Sequence, residues 1–115
     1  FTPNELFACE EIVEVFRKAG VIIGLDDYGA GVISAADIAA FPFDLVKSDR
    51  SICGFEDAWD SPLHGELMQV SESKPLVLIA EGIEKVEQAT GLAALGYQYV
   101  QGYAFDQPTM LIQRN

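Results

Sequence analysis

The sequence predicts an α/β fold with parallel strands, and two observations carry that expectation. Amphipathic stretches alternate with short apolar runs along the whole chain. Each apolar run also leads into polar, chemistry-bearing residues: Asp26 and Asp27, then Lys47 and Asp49, then Glu81, then Gln101. In parallel α/β proteins the C-terminal strand ends form one edge, where ligands bind in barrels and in open sheets alike. Four separate segments thus direct chemistry to one rim.

Thr2-Pro3-Asn4-Glu5 reads as a helix start, with Thr2 as cap, Pro3 in the first turn and Glu5 three residues after the cap. Leu6, Cys9, Ile12, Val13, Phe16 and Ala19 follow at helical spacing, and Lys18 and Gly20 close the helix. Val21 to Leu25 is almost wholly apolar, as a strand buried on both faces would be. A short helix is expected from Ser34 to Ala40, broken by Pro42, with the next strand at Phe43 to Lys47. Residues 50–60 read as a loop. Ser61-Pro62 opens another helix despite Gly65 inside it. Leu76 to Ala80 is a third strand, Lys85 to Leu95 a helix stopped by Gly96, and Tyr97 to Val100 a fourth strand. Alternation in this order implies parallel pairing through right-handed crossovers.

Composition narrows the function. The chain has 115 residues, half of them hydrophobic, and a formal net charge of −11. That describes one globular domain with a modest core. A surplus of 18 acidic over 7 basic residues argues against a nucleic-acid polymer or an anionic membrane as partner. No apolar run approaches the roughly 20 residues of a spanning helix. The chain opens on Phe1 rather than Met, so a longer parent is expected. Cys9 and Cys53 suggest no disulfide framework, read as small apolar fillers, and fit a cytoplasmic setting. The lone histidine, His64, reads as a surface or interface residue and leaves little for a zinc site.

The rim residues suit one chemistry. Asp26, Asp27 and Glu81 are hard oxygen donors, matched to Mg²⁺ or Mn²⁺, with Ca²⁺ also open. Lys47 adds a point charge able to steer a water or a phosphate oxygen. Carboxylates, a divalent metal and a lysine together suit phosphodiester hydrolysis, and the metal offsets the repulsion between an acidic chain and an anionic substrate. Singly, each motif has a plainer reading. Asp-Asp before Tyr28-Gly29-Ala30-Gly31 suits a turn with a helix cap, residues 47–50 a solvated loop edge, and Glu84 a helix start. Their joint appearance at successive strand ends outweighs those readings.

The ordered motifs Asp26-Asp27-Tyr28-Gly29-Ala30-Gly31, Lys47-Ser48-Asp49-Arg50-Ser51, Ala80-Glu81-Gly82-Ile83-Glu84 and Val100-Gln101-Gly102-Tyr103, with Phe105 and Pro108, resemble the C-terminal half of an EAL domain. The family signatures run DDFGTG, KxDRS, AEGVE and QGYxFxxP. The resemblance covers about residues 13–108. It implies the C-terminal half of a TIM-type (β/α)8 barrel and a bacterial signalling phosphodiesterase that linearises cyclic di-GMP with Mg²⁺ or Mn²⁺. By resemblance, Asp26, Asp27 and Glu81 are metal ligands, and Asp26 is open to sharing between two ions. Lys47 orients the attacking water, Gln101 sits at the metal and substrate site, and Asp49 and Glu84 are supporting acids around it.

The departures matter as much. The Glu-Ala-Leu segment is absent, as are the asparagine and glutamate ligands of the strands that follow it. Val32-Ile33-Ser34-Ala35 replaces an aromatic-Ser-Ser-Leu run tied in the family to dimerisation, Ser48 replaces an apolar residue, and Gln107 an arginine. A whole barrel takes eight strands and roughly 250 residues. Residues 1–115 are therefore expected to be a single partial domain, completed by a second copy or by a missing N-terminal half, or else to form an open layer that dimerises through its sheet face. The expected function is cyclic di-GMP signalling derived from hydrolysis, without turnover by this chain alone. The alternative is a degenerate module for ligand binding or protein–protein interaction.

Overall fold

In a computed structural model, the described residues are 4, 10–102 and 105–110, with side chains described at 4 and 14–102. Helix α1 (Glu10–Lys18) leads to β1 (Gly24–Tyr28), α2 (Ala35–Ala40), β2 (Leu45–Ser48) and α3 (Arg50–Cys53). A 3-10 turn (Glu56–Asp60), α4 (Pro62–Ser73), β3 (Val77–Ile83), α5 (Gln88–Leu95), β4 (Tyr99–Gly102) and β5 (Phe105–Met110) follow. The helix start expected at residues 2, 3 and 5 lies outside the described residues, as do Leu6 and Cys9.

The sheet runs β1-β2-β3-β4-β5, with the first three pairings parallel and the last antiparallel. Strands neighbour in space in the order they occur in sequence. There is no switch point of the kind that splits a doubly wound sheet, so successive crossovers lay their helices on one face. That is the winding of a TIM-type barrel wall. Leu25, Val46 and Leu78 are buried and paired in register, and Ala80 pairs Val100. They pack with Ile38 and Phe41 of the α2 region, Leu67 of α4 and Leu92 of α5. The opposite face carries Lys47 and Glu81, because strand side chains alternate.

Local chemistry accounts for most boundaries. Ser34 and Asp37 form a reciprocal capping box at α2, Ser61 caps α4 with Pro62 in its first turn, and Gly96 ends α5 with φ 119°. The first strand lies three residues later than the apolar run suggests. Hydrogen bonding to β2 begins at the Gly24–Leu45 pair, while Val21 and Ile22 stay exposed. The segment expected as a loop holds α3 and the 3-10 turn. Asp49 caps α3 by accepting from the Ser51 amide at 2.8 Å, and Trp59 donates to the Cys53 carbonyl at 2.8 Å. Helix α5 starts three residues later than expected, after a turn at Lys85 and Val86.

His64 is not a surface residue: it is 2% exposed. Its Nε2 donates to the Ile52 carbonyl at 2.9 Å and its Nδ1 lies 2.8 Å from Tyr97 Oη, which reaches buried Ser48 at 2.8 Å. Ser48, in place of an apolar family residue, thus completes a polar chain behind β2. Cys53 is fully buried beside it, as expected of a filler. Burial pushes its thiol from the ordinary 9.0 up to about 12. A folded value above the unfolded one stabilises the fold fully below about pH 9, and that contribution disappears as pH climbs toward 12. With Cys9 changed to Ser, the thiol is expected to resist alkylation at pH 8 until urea unfolds the chain. Cys53→Ala should shallow the loss of stability above pH 9 in denaturant titrations.

Candidate metal centre

The rim is assembled by one irregularity. Adjacent strand residues normally face opposite sides of a sheet, so Asp26 and Asp27 should diverge. Pairing with β2 slips between Leu25 and Tyr28, and Asp27 takes φ 64°. Aspartate is among the side chains that tolerate this left-handed backbone. The bulge turns both carboxylates outward, as bulges near functional sites do. Oxygens of Asp26, Asp27 and Glu81 then lie within 4.8 Å of one another. Asp26 is held from behind, accepting from the Asp27 amide at 2.9 Å.

Glu81 enters from β3, on the same face as Lys47 and diagonal to it. Lys47 Nζ lies 3.6 Å from Glu81 Oε1. Partial burial raises the Glu81 pKa, the nearby Asp26 charge raises it further, and Lys47 opposes both. Gln101 stands opposite Glu81 in the β3–β4 register. Its Oε1 is buried without a hydrogen-bond partner among the described residues. The structure therefore brings Asp26, Asp27, Glu81, Lys47 and Gln101 to one place. Asp49 is spent on the α3 cap, and Glu84 faces Arg50, whose Nη2 donates to it at 3.0 Å.

The donor set fits a hard divalent cation. Three carboxylate oxygens converge with neither sulfur nor imidazole among them, which suits Mg²⁺ or Mn²⁺ over zinc. Three like charges this close also repel unless a cation joins them.

The backbone and the charge at position 27 can be separated. Asp27→Asn keeps a left-handed-tolerant residue, so stability should stay within about 0.5 kcal/mol while Mn²⁺ affinity falls. Asp27→Val should cost about 1–3 kcal/mol in urea denaturation, because a β-branched residue is strained at that φ.

The EAL domain family matches residues 2–108. This chain belongs to that family. The cyclic di-GMP phosphodiesterase NbdA of Pseudomonas aeruginosa is 31% identical over 102 residues, covering 87% of this chain and 13% of NbdA. The cyclic di-GMP phosphodiesterase PdeL of Escherichia coli is 27% identical over 99 residues, covering 84% of this chain and 27% of PdeL. Among solved structures, the PaMucR phosphodiesterase in complex with c-di-GMP superposes with a TM-score of 0.73 at 29% identity. It covers 90% of this chain and 47% of that one. An EAL domain protein of Listeria monocytogenes gives 0.73 at 25% identity, covering 92% and 44%. The chain thus spans less than half the length of these relatives. The EAL fold identity settles the winding as a TIM-type barrel segment. Among the described residues, no helix is long and apolar enough to cross a membrane.

Two further features of this EAL segment escaped the sequence reading. Antiparallel β5 was hidden by Pro108, which argues against a central strand but is tolerated at an edge. Gln88, 9% exposed, bridges two rim loops. Its position three residues into the expected helix was the available signal.

Proposed function

We propose that this chain supplies one side of a metal-dependent cyclic di-GMP site, the side that carries two adjacent aspartates, a glutamate and a lysine. The observation that carries the reading is the convergence of Asp26, Asp27 and Glu81 beside Lys47. Asp26, Asp27 and Glu81 would hold Mg²⁺ or Mn²⁺. The ion would supply positive charge to the phosphodiester and a nucleophile at neutral pH.

The chain's own residues do the rest. Lys47 keeps Glu81 aimed at the rim and presents an N–H to the water that attacks phosphorus. Gln101 offers a buried amide acceptor beside Glu81 for a donor on the dinucleotide. Asp49 fixes the loop behind Lys47, and Glu84 holds the guanidinium of Arg50, whose stem lies against Gly82 next to Glu81. The product is the linear dinucleotide.

Residues 1–115 act as a partial domain on this reading. A preceding half or a second copy completes the barrel in the cytoplasm, and the isolated chain does not turn over. Membrane and nucleic-acid polymer play no part. The free edge of β1, at one end of the described sheet, is where further parallel strands would add.

The test is incubation of the purified chain with cyclic di-GMP and Mn²⁺, product chromatography and equilibrium binding. Metal-dependent binding without product supports the reading; linear dinucleotide would support the metal site but overturn the inactivity of the isolated chain, showing that the chain completes the site by itself. Indifference to both metal and dinucleotide, with tight self-association, favours a protein-interaction element instead.

A further inference from the structure

Arg50 directly follows Asp49 at the exit of β2, and its stem lies against the backbone at the exit of β3. A Cβ on Gly82 would overlap the Arg50 stem, and one on Gly54 would come within 2.8 Å of Arg50 Cγ and 2.9 Å of the Gly82 carbonyl. Gly82 takes φ 87° there, one residue after Glu81. The Arg50 guanidinium continues outward to Glu84 at 3.0 Å and lies 5.4 Å from the centre of the Phe55 ring.

Gln88 works the same joint from inside. Its Oε1 accepts from the amides of Glu84 and Lys85 at 2.9 and 3.1 Å, and its Nε2 donates to the Gly54 carbonyl at 3.1 Å. The Asp49 amide donates to the Tyr28 carbonyl at 2.8 Å, next to Asp27. Three strand exits are thereby tied in sequence: the Asp49–Tyr28 tie lies one residue from Asp27 and two from Lys47, the Arg50–Gly82 contact one residue from Glu81, and the Gln88 bonds to Glu84 and Lys85 three and four residues beyond it.

We infer that Arg50 and Gln88 are positioning residues for the carboxylate centre, clasping the β2 and β3 exit loops so that Glu81 meets Asp26 and Asp27. The assignment rests on the metal-site reading above. The Arg50–Glu84 pair is exposed, at 55% and 47% of the side chains, and such pairs contribute little to stability. What the clasp supplies is orientation. Contacts that orient the ligands of a metal site matter beyond the ligands themselves, and removing one typically weakens metal binding about 10- to 100-fold.

The test compares Mn²⁺ affinity, read by electron paramagnetic resonance, with thermal stability for the chain and its Arg50→Ala, Arg50→Lys and Gln88→Leu variants. Arg50→Ala and Gln88→Leu should bind Mn²⁺ at least about 10-fold more weakly. Arg50→Lys, which keeps the charge toward Glu84, should recover part of the loss. The melting temperature of Arg50→Ala should stay within about 3 °C of the parent chain, which guards against a folding defect in Gln88→Leu. Unchanged affinity in the Arg50 variants overturns the clasp alone. So does a loss of affinity that only tracks a large drop in melting temperature. Absence of Mn²⁺ binding by the unmodified chain overturns the metal reading and this assignment with it.

Discussion

Asp26→Asn is expected to abolish Mn²⁺ binding by the chain and to lower cyclic di-GMP hydrolysis by the completed barrel about 1,000-fold. The magnitude follows from the several kcal/mol that a metal contributes to the transition state, at about 1.4 kcal/mol per factor of ten. Asp26 is the choice because both its neighbours in the trio depend on it. Its charge acts on Glu81, and its carboxylate holds the Asp27 amide that forms the bulge. Asparagine retains an oxygen for that amide, so the backbone should persist while the charge is lost. Circular dichroism should be unchanged, and product chromatography with Mn²⁺ reads the effect. Full activity in the variant would remove Asp26 from the site. Lys47→Ala serves as the contrasting case: it leaves all three carboxylates in place, so Mn²⁺ should still bind while turnover falls.

His64→Leu is expected to lower stability by about 2–4 kcal/mol without touching the rim. Leucine fills similar space but leaves the Ile52 carbonyl without its histidine donor and the Tyr97 hydroxyl with only Ser48 in a buried setting, and an orphaned buried group costs about 1–3 kcal/mol. Tyr97→Phe removes the middle of the same chain, taking the hydroxyl from both His64 Nδ1 and the Ser48 hydroxyl. Because the residues share one network, the double variant should cost less than the sum of the singles, by about 0.5–3 kcal/mol in urea denaturation. Additive losses would mean that the contacts are energetically independent. Mn²⁺ affinity of His64→Leu, measured well below its unfolding midpoint, should match that of the parent chain.

Several parts of this molecule were legible because they depend on local chemistry. Ser34 with Asp37, and Ser61 with Pro62, announce helix starts through their own hydrogen bonds. Short apolar runs locate the four parallel strands to within a few residues, although β1 and β2 each bury only one face. The rim residues followed from the runs, because the exit of a parallel strand is fixed once the strand is. The limits lay where a partner elsewhere in the chain decides. The start of β1 is set by where β2 offers hydrogen bonds, not by where the apolar residues begin. His64 read as a surface or interface residue because nothing nearby in sequence reveals Tyr97, which lies 33 residues away. The short helix after Asp49 has too few turns to show a period.

By itself, the sequence determined the alternation of helix and strand, the placing of Asp26, Asp27, Lys47, Glu81 and Gln101 at strand exits, and the order of the EAL motifs. Only the tertiary structure decided that the strands lie in sequential order, that two adjacent aspartates face the same way, and that Asp49 and Glu84 turn to a helix cap and to Arg50. The physical reason is range. Periodicity and capping act over one or two turns of chain, and a sequence displays them. A register slip at Asp27 exists only against β2, and the convergence of three carboxylates exists only once β1 and β3 share a sheet.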